Sequence, residues 1–242
     1  MNRSMLKVAV ATTAFAVVHS ALASRPAKQA ASQAFGERRR NGLYRVCFIA
    51  QSIFAGGLLV AFIRRQASRE LYHVSLPWSL GMHAIQVTGL AYATLAAQQV
   101  GVLRITGVES FRAWLGQGPV AAEPEAQGPA LDEAGKWRVA GPFAWSRHPL
   151  NFVVLPILWL WPRMTTNLLA FNSVASIYLV IGSLHEEWRL RAENGADYEA
   201  YQKSGVPFFV PSRTHRFFGA LPSASTLPRM TDEAESWDHA AR

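Results

Sequence analysis

Arg147, His148 and Pro149 stand side by side at the head of an apolar run, "RHPLNFVVLPILWLWP". A second polar set, His185, Glu186 and Glu187, closes another apolar run in "LVIGSLHEEWRLRAENG". Arginine offers a fixed positive charge on a planar fork that suits carboxylates. Proline at a first helical position costs no hydrogen bond, so a helix is expected to begin directly after His148. Its unpaired N–H groups would face the preceding loop and attract a carboxylate or phosphate. Glu186 and Glu187 have the sign to hold an ammonium group and the lone pairs to hold ribose hydroxyls. Together the two sets suit a ligand that carries both charge signs.

Other residues could complete such a site. Asn194-Gly195 reads as a helix stop. Beyond it, "ADYEAYQKSGVPFFVP" places Tyr198 and Tyr201 three apart, neighbours on one helical face. Pro207 and Phe208 lie in what reads as an extended apolar flap. His19 and His83 fall inside apolar stretches, where ionisable side chains are rare. His19, close to the end of its stretch, is the better functional candidate of the two. Each feature also has a plainer reading. Arg147, His148, Glu186 and Glu187 could form only an interfacial salt-bridge cluster, Tyr198 and Tyr201 could serve packing, and the histidines could be hydrogen-bonded structural groups. Spacing alone leaves both readings open.

Several chemistries drop out. "HEEWR" starts like a zinc-protease helix, but position 189 is Arg where a second His would be needed. No other His or Cys stands at metal-ligand spacing, so no metal is expected. The sequence has no Gly-rich phosphate loop, nucleophile elbow or Rossmann strand pattern. A nucleotide-like ligand would therefore need an all-helical pocket. The lone Cys47 rules out a disulfide within the chain and reads as packing.

The elements that must position these residues are apolar helices. Half of the 242 residues are hydrophobic, and Lys+Arg outnumber Asp+Glu by 24 to 16. The apolar residues gather into long runs with arginines between them, the pattern of a membrane protein with basic loops. No interleaved basic and aromatic stripe points to nucleic acid. Apolar stretches run over about 5–24, 43–63, 76–97, 149–161 and 168–184, with Gln86, Thr88 and Gly89 as helix-packing residues in the third. The fourth is too short to cross a bilayer unaided, at about 1.5 Å per residue. It pairs most simply with the fifth as a hairpin around "WPRMTTN". The segment 118–136 reads as an exposed loop.

The N-terminal stretch also resembles a secretory signal, with "ALA" at 21–23 as a cleavage site. Charge distribution favours a retained helix with its N-terminus outside. Of the 24 Lys+Arg, that orientation leaves only Arg3, Lys7, Arg64, Arg65, Arg69 and Arg163 on the outer side. The expected fold class is therefore all-α: an integral membrane bundle of about five transmembrane helices, the last two forming a hairpin. The loop ending at His148 and the segment from His185 would both face the cytoplasm.

The set "RHPLNF…EE…NGADYEAY…VP" resembles the C-terminal signature of the isoprenylcysteine carboxyl methyltransferase superfamily. It is closest to the bacterial NnrU-like branch, which includes methanethiol S-methyltransferases. "VHSALASRP" and "PRMTTNLLAF" point the same way. The strong likeness covers about Gly141 to Pro211. It implies a single transmembrane methyltransferase-like domain over 1–216, with a low-order cytoplasmic tail from 217 to 242, in a bacterial inner membrane. It also implies S-adenosyl-L-methionine (SAM) bound at the cytoplasmic helix ends by Arg147, His148, Pro149, Glu186, Glu187, Tyr198, Tyr201 and Pro207. His148 or His19 would take a proton from a thiol acceptor. The family tyrosine two residues after the proline is Asn151 here, a departure that bears on cofactor binding.

The implied partners are the lipid bilayer and a small thiol or an apolar, membrane-dissolved acceptor. Replacement of Glu187 by Ala is expected to abolish cofactor binding without unfolding the protein. Two other readings compete. One is a non-catalytic NnrU-like membrane protein. The other is a sterol-reductase-like enzyme whose NADPH 2′-phosphate would need Arg189, Arg191 and Lys203.

Overall fold

The computed structural model describes residues 2–121, 128–129, 137 and 139–212. Much of the expected 118–136 loop, and the whole 217–242 tail, lie outside the described residues. Ten helices and one two-stranded ribbon make up the described chain. Helix α1 (Arg3–Ala23) ends at Ser24, whose hydroxyl donates to the Ala21 carbonyl at 2.6 Å and accepts from the Ala27 N–H at 3.4 Å. One serine thus closes α1 and opens α2 (Arg25–Phe35), with Pro26 in the first turn, where its missing N–H is harmless. Gly36, at φ 83°, turns the chain into α3 (Glu37–Arg65).

Strand β1 (Glu70–His73) precedes α4 (Trp78–Val100), α5 (Val102–Ile105) and α6 (Val108–Leu115). Three short pieces follow: α7 (Pro142–Trp145), α8 (Pro149–Phe152) and α9 (Val154–Trp159). Strand β2 (Arg163–Thr165) pairs antiparallel with β1 and leads into α10 (Thr166–Lys203), capped by the Thr165 hydroxyl. The ribbon has no counterpart in the sequence reading. Three- and four-residue strands are too short to show a period of two.

Helix α1 packs between α3 and α10, α10 also touches α8 and α9, and these lean on α4. The helices α1, α3 and α10 are long and apolar enough to cross a membrane, while Pro149–Trp159 is a shorter apolar piece. Helix α4 has the length, but His83, Gln86, Gln98 and Gln99 dilute its apolar character. Ile53, Phe54 and Leu58 on α3, Val87 and Leu90 on α4, and Ile177 and Ile181 on α10 are each more than half exposed. Water would penalise such contiguous apolar surface, and hydrocarbon would not. The chain is an all-α membrane bundle.

Two of the three residues singled out for helix packing do pack. Gln86 is buried and donates to the carbonyls of Ile157 and Leu160 at 3.1 and 3.0 Å. Those carbonyls sit where α9 unravels, so Gln86 supplies donors that the broken helix lacks. A Cβ added at Gly89 would lie 2.9 Å from the Val153 side chain, so α4 and the α8–α9 break meet there at close range. Thr88 instead donates to Ala84 of its own helix, at 2.9 Å.

Two buried hydrophobic clusters lie at the end that carries the signature residues. Leu190, Tyr198, Tyr201 and Val206 form one buried cluster, with Trp137 and Val139 against it. Ala96, Val100 and Phe143 form another, supported by Ile105 and Leu150. Helix α10 is interrupted at Gly195, with φ 50° and ψ −125°. The expected stop at Asn194-Gly195 is thus a sharp bend, after which one more stretch carries Tyr198 and Tyr201.

Candidate functional site

Helix α8 begins after His148, as the proline indicates, and Phe152 N–H donates to the His148 carbonyl at 2.9 Å. Ser146 prepares this start. Its hydroxyl donates to the Phe209 carbonyl at 2.8 Å and accepts from the His148 N–H at 3.1 Å. Arg147 leaves the same turn. Its Nε donates to Glu187 Oε1 at 2.5 Å, its Nη1 donates to the Val206 carbonyl at 2.7 Å, and its backbone N–H donates to the Pro207 carbonyl at 2.9 Å. One arginine thereby ties the α7–α8 turn to α10 and to the segment beyond it.

His148 is 3% exposed. Its Nδ1 lies 3.5 Å from Glu186 Oε2 and its Nε2 lies 3.4 Å from Glu187 Oε1. The second contact has ion-pair distance without hydrogen-bond geometry. The ring rests edge-on against Phe208, with centroids 5.1 Å apart. Burial alone would lower the histidine pKa, but the adjacent carboxylates of Glu186 and Glu187 outweigh it and hold it above the ordinary value.

Glu187 is buried and fully engaged. It meets Arg147 and His148, accepts from Gln202 Nε2 at 2.8 Å, and lies 3.4 Å from the Tyr198 hydroxyl. Tyr198 and Tyr201 are both buried, with ring centroids 5.9 Å apart, and Tyr201 donates to the Phe143 carbonyl at 2.6 Å. Arg147, His148, Glu187, Tyr198, Tyr201 and Pro207 therefore form one continuous network. It clasps the chain after Gly195 onto the α7–α8 turn. The space in front of the α8 N-terminus, lined by Arg147, His148, Pro149, Asn151 and Glu186, is only about 40 Å³. A whole carboxylate-bearing ligand does not fit in it.

Glu186 faces differently. It lies on the wall of an open cavity of about 720 Å³ between α1, the start of α2 and α10. That volume is within the range of small-molecule sites, roughly 300–1,000 Å³. His19, Ser20, Tyr178 and Gly182 line one end of the cavity, while Arg25, Asn151, His185, Glu186 and Arg189 line the other. Tyr178 to Arg189 spans about 16 Å along the helix axis. Asn151 donates to Ser183 Oγ at 2.9 Å and approaches Glu186 Oε2 at 3.5 Å, so it shares the carboxylate with His148. Arg189 Nε is buried and has no hydrogen-bond partner among the described residues.

His19, at the far end, is half-buried among Phe15, Phe48 and Tyr178. Ser20 donates to the Tyr178 hydroxyl at 3.1 Å and so fastens α1 to α10 beside it.

The sequence-derived set therefore divides in two. Glu186 and His19 reach the cavity. Glu187, Tyr198, Tyr201 and Pro207 brace the wall behind it, and Arg147, His148 and Pro149 join the brace to Glu186. This changes what replacing Glu187 would do. Its removal would leave Arg147 and His148 buried without their counter-charge, so the protein would not stay undisturbed as expected from the sequence. Arg25, Tyr178, His185 and Arg189 were not assigned to a methyl-donor site by sequence. Arg189 had a visible signal, a cation three residues after Glu186 and so on the same helical face. Arg25 lay in the "VHSALASRP" stretch with no role assigned, and Tyr178 had no signal, because α1–α2 and α10 meet only in three dimensions.

No family model matches the chain, and no solved structure matches it. A methanethiol S-methyltransferase from Crocosphaera subtropica is 34% identical to it over 76 residues. That stretch is 31% of this chain and 29% of the relative, so most of each protein lies outside the match. Within that stretch the chain is similar to a methyltransferase.

Proposed function

We propose that this chain is an integral membrane methyltransferase that uses SAM and methylates a small thiol or another apolar, membrane-dissolved acceptor. The observation that carries the proposal is the 720 Å³ cavity, which joins both charge signs to aromatic and apolar walls within reach of the RHP turn. A methyl donor with a carboxylate, an ammonium and a sulfonium asks for that mixture. The chemistry of the lining fits: Arg189, with its unpartnered buried Nε, suits the carboxylate, and Glu186 suits the ammonium or ribose hydroxyls. Tyr178 and Trp188 offer ring faces for the adenine or the cation. When bound, the donor supplies an electrophilic methyl group. The chain's own part is to align that group with the acceptor and to exclude water.

The clasp of Arg147, His148, Glu187, Tyr198 and Tyr201 holds α8 and α10 in register, so that Asn151 and Glu186 meet at the cavity wall. The family tyrosine's place is taken by Asn151, which serves here by orienting Glu186. A thiol acceptor accords with the name of the Crocosphaera protein, a methanethiol S-methyltransferase. All five apolar segments are read as crossing or entering the bilayer, N-terminus out, with the charged cavity end at the cytoplasmic surface of a bacterial inner membrane. A reductase with NADPH is less well supported. Of its three expected phosphate-binding cations, Arg191 is bonded to Gln202, Lys203 faces Glu199, and neither lines the cavity.

Calorimetric titration of the detergent-purified protein with SAM and, in parallel, with NADPH tests the proposal. Micromolar SAM binding that is lost in Arg189→Ala and Glu186→Ala, with unchanged thermal unfolding, is the expected result. Binding of NADPH alone would move the chain to the reductases. Binding of neither would leave a non-catalytic scaffold.

A further inference from the structure

His19 makes one hydrogen bond in the described structure, through Nδ1 to Ser52 Oγ at 3.1 Å. The Ser52 hydroxyl has one proton and three neighbours that could receive it. The Phe48 carbonyl stands at 2.7 Å, a back-bond to the residue four earlier in α3, while Gln51 Oε1 is at 3.4 Å. The shortest, the helix carbonyl, takes the proton. Ser52 can then only accept from His19, so the neutral imidazole carries its hydrogen on Nδ1. Nε2 is left with a lone pair and no hydrogen-bond partner among the described residues. His19 lines the cavity and Ser52 does not, so the committed nitrogen lies on the α3 side and the uncommitted one remains for a ligand.

Phe15, Phe48 and Tyr178 surround the ring, at centroid distances of 5.7, 4.7 and 6.2 Å. No carboxylate lies among these ring contacts, in contrast to His148, which is closed in by Glu186 and Glu187. Of the two histidines that the sequence left open as proton acceptors, His148 is 3% exposed and held between two carboxylates, whereas His19 lines the large cavity.

We propose that His19 Nε2 is the general base of the reaction and that Ser52 is the positioning residue that fixes its tautomer, an inference that rests on the methyltransferase reading above. The acceptor's S–H bond breaks and its proton passes to Nε2, giving an imidazolium. The electron pair left on sulfur forms the new bond to the methyl carbon. The carbon–sulfur bond of the sulfonium donor breaks, and its electron pair stays on the donor sulfur as a neutral thioether. The imidazolium afterwards returns its proton to water. A thiol suits this base, because its ordinary pKa of about 8.5 lies about two units above that of imidazole.

Three measurements decide it. In protein carrying ¹⁵N-labelled histidine, the neutral His19 ring is expected to show a protonated Nδ1 and a bare Nε2, and Ser52→Ala is expected to scramble that preference. With an alkyl thiol and SAM, His19→Gln should lose about 10²–10⁴-fold in kcat at neutral pH. Its calorimetric SAM affinity should be unchanged, and its deficit should shrink as alkaline pH ionises the thiol. Ser52→Ala should lower kcat rather than raise KM, with recovery in Ser52→Thr, whose hydroxyl can make the same two bonds. A hydrogen found on Nε2, full activity in a folded His19→Gln protein, or a deficit equal at every pH would overturn the assignment. An inactive wild-type protein that binds no SAM would instead remove the methyltransferase reading itself, whatever the tautomer.

Discussion

Glu186 and Glu187 are neighbours in sequence and do different work. Successive helical residues point about 100° apart, so one carboxylate reaches the cavity and the other the clasp. Glu186→Gln is expected to keep the fold and lose ligand affinity. Glu187→Ala is expected to lower stability by about 3–5 kcal/mol, the cost of leaving buried cations unpaired, as read from thermal unfolding in detergent. His148 adds a pH dependence. Its folded pKa lies above the ordinary 6.5, so its contribution is complete below that value and is lost as pH rises through the folded pKa. Unfolding temperature should therefore decline as pH is raised from about 6.5, and His148→Gln should flatten the decline. The sequence grouped these residues as one candidate set. It could not show which of them face the ligand, because that depends on the turn at Ser146 and on helix rotation.

Elements carry the next set of consequences. The early end of α9 leaves carbonyls, those of Ile157 and Leu160, that Gln86 satisfies from α4. Gln86→Leu keeps the size and removes the donors, so a loss of about 1–3 kcal/mol is expected on thermal unfolding. The bend at Gly195 has a φ and ψ that side chains with a Cβ rarely adopt. Gly195→Val is expected to cost about 1–3 kcal/mol and to displace Tyr198 and Tyr201 from their places behind Glu187. A matched drop in SAM affinity would tie the bend to the site. Pro149, the Asn194-Gly195 pair and the apolar runs were legible because start signals, stop signals and hydropathy are local. The α8–α9 break was not, since "FVVLPILW" has no strong breaker except Pro156, which lies beyond it in the third position of α9. The β1–β2 ribbon was hidden for the same reason of scale.

At the scale of the whole molecule, the bundle has its exposed apolar girdle on α3, α4 and α10 and its polar, densely packed clasp at one end. With the proposed orientation, an alkaline phosphatase fused after Arg242 should be inactive, and a green fluorescent protein at the same place should glow. The reverse pair would turn the bundle over and put the charged cavity end outside the cell. The membrane class was legible from composition and charge, whereas the cavity was not. Its walls come from the two ends of the chain, with Ser20 bonded to Tyr178 across 158 positions. A ribosome delivers those ends far apart in time. Until α10 has been inserted, α1 has no partner across the cavity and no ligand has a place to sit. A chain cut short anywhere before Arg189 would thus reach the membrane mute.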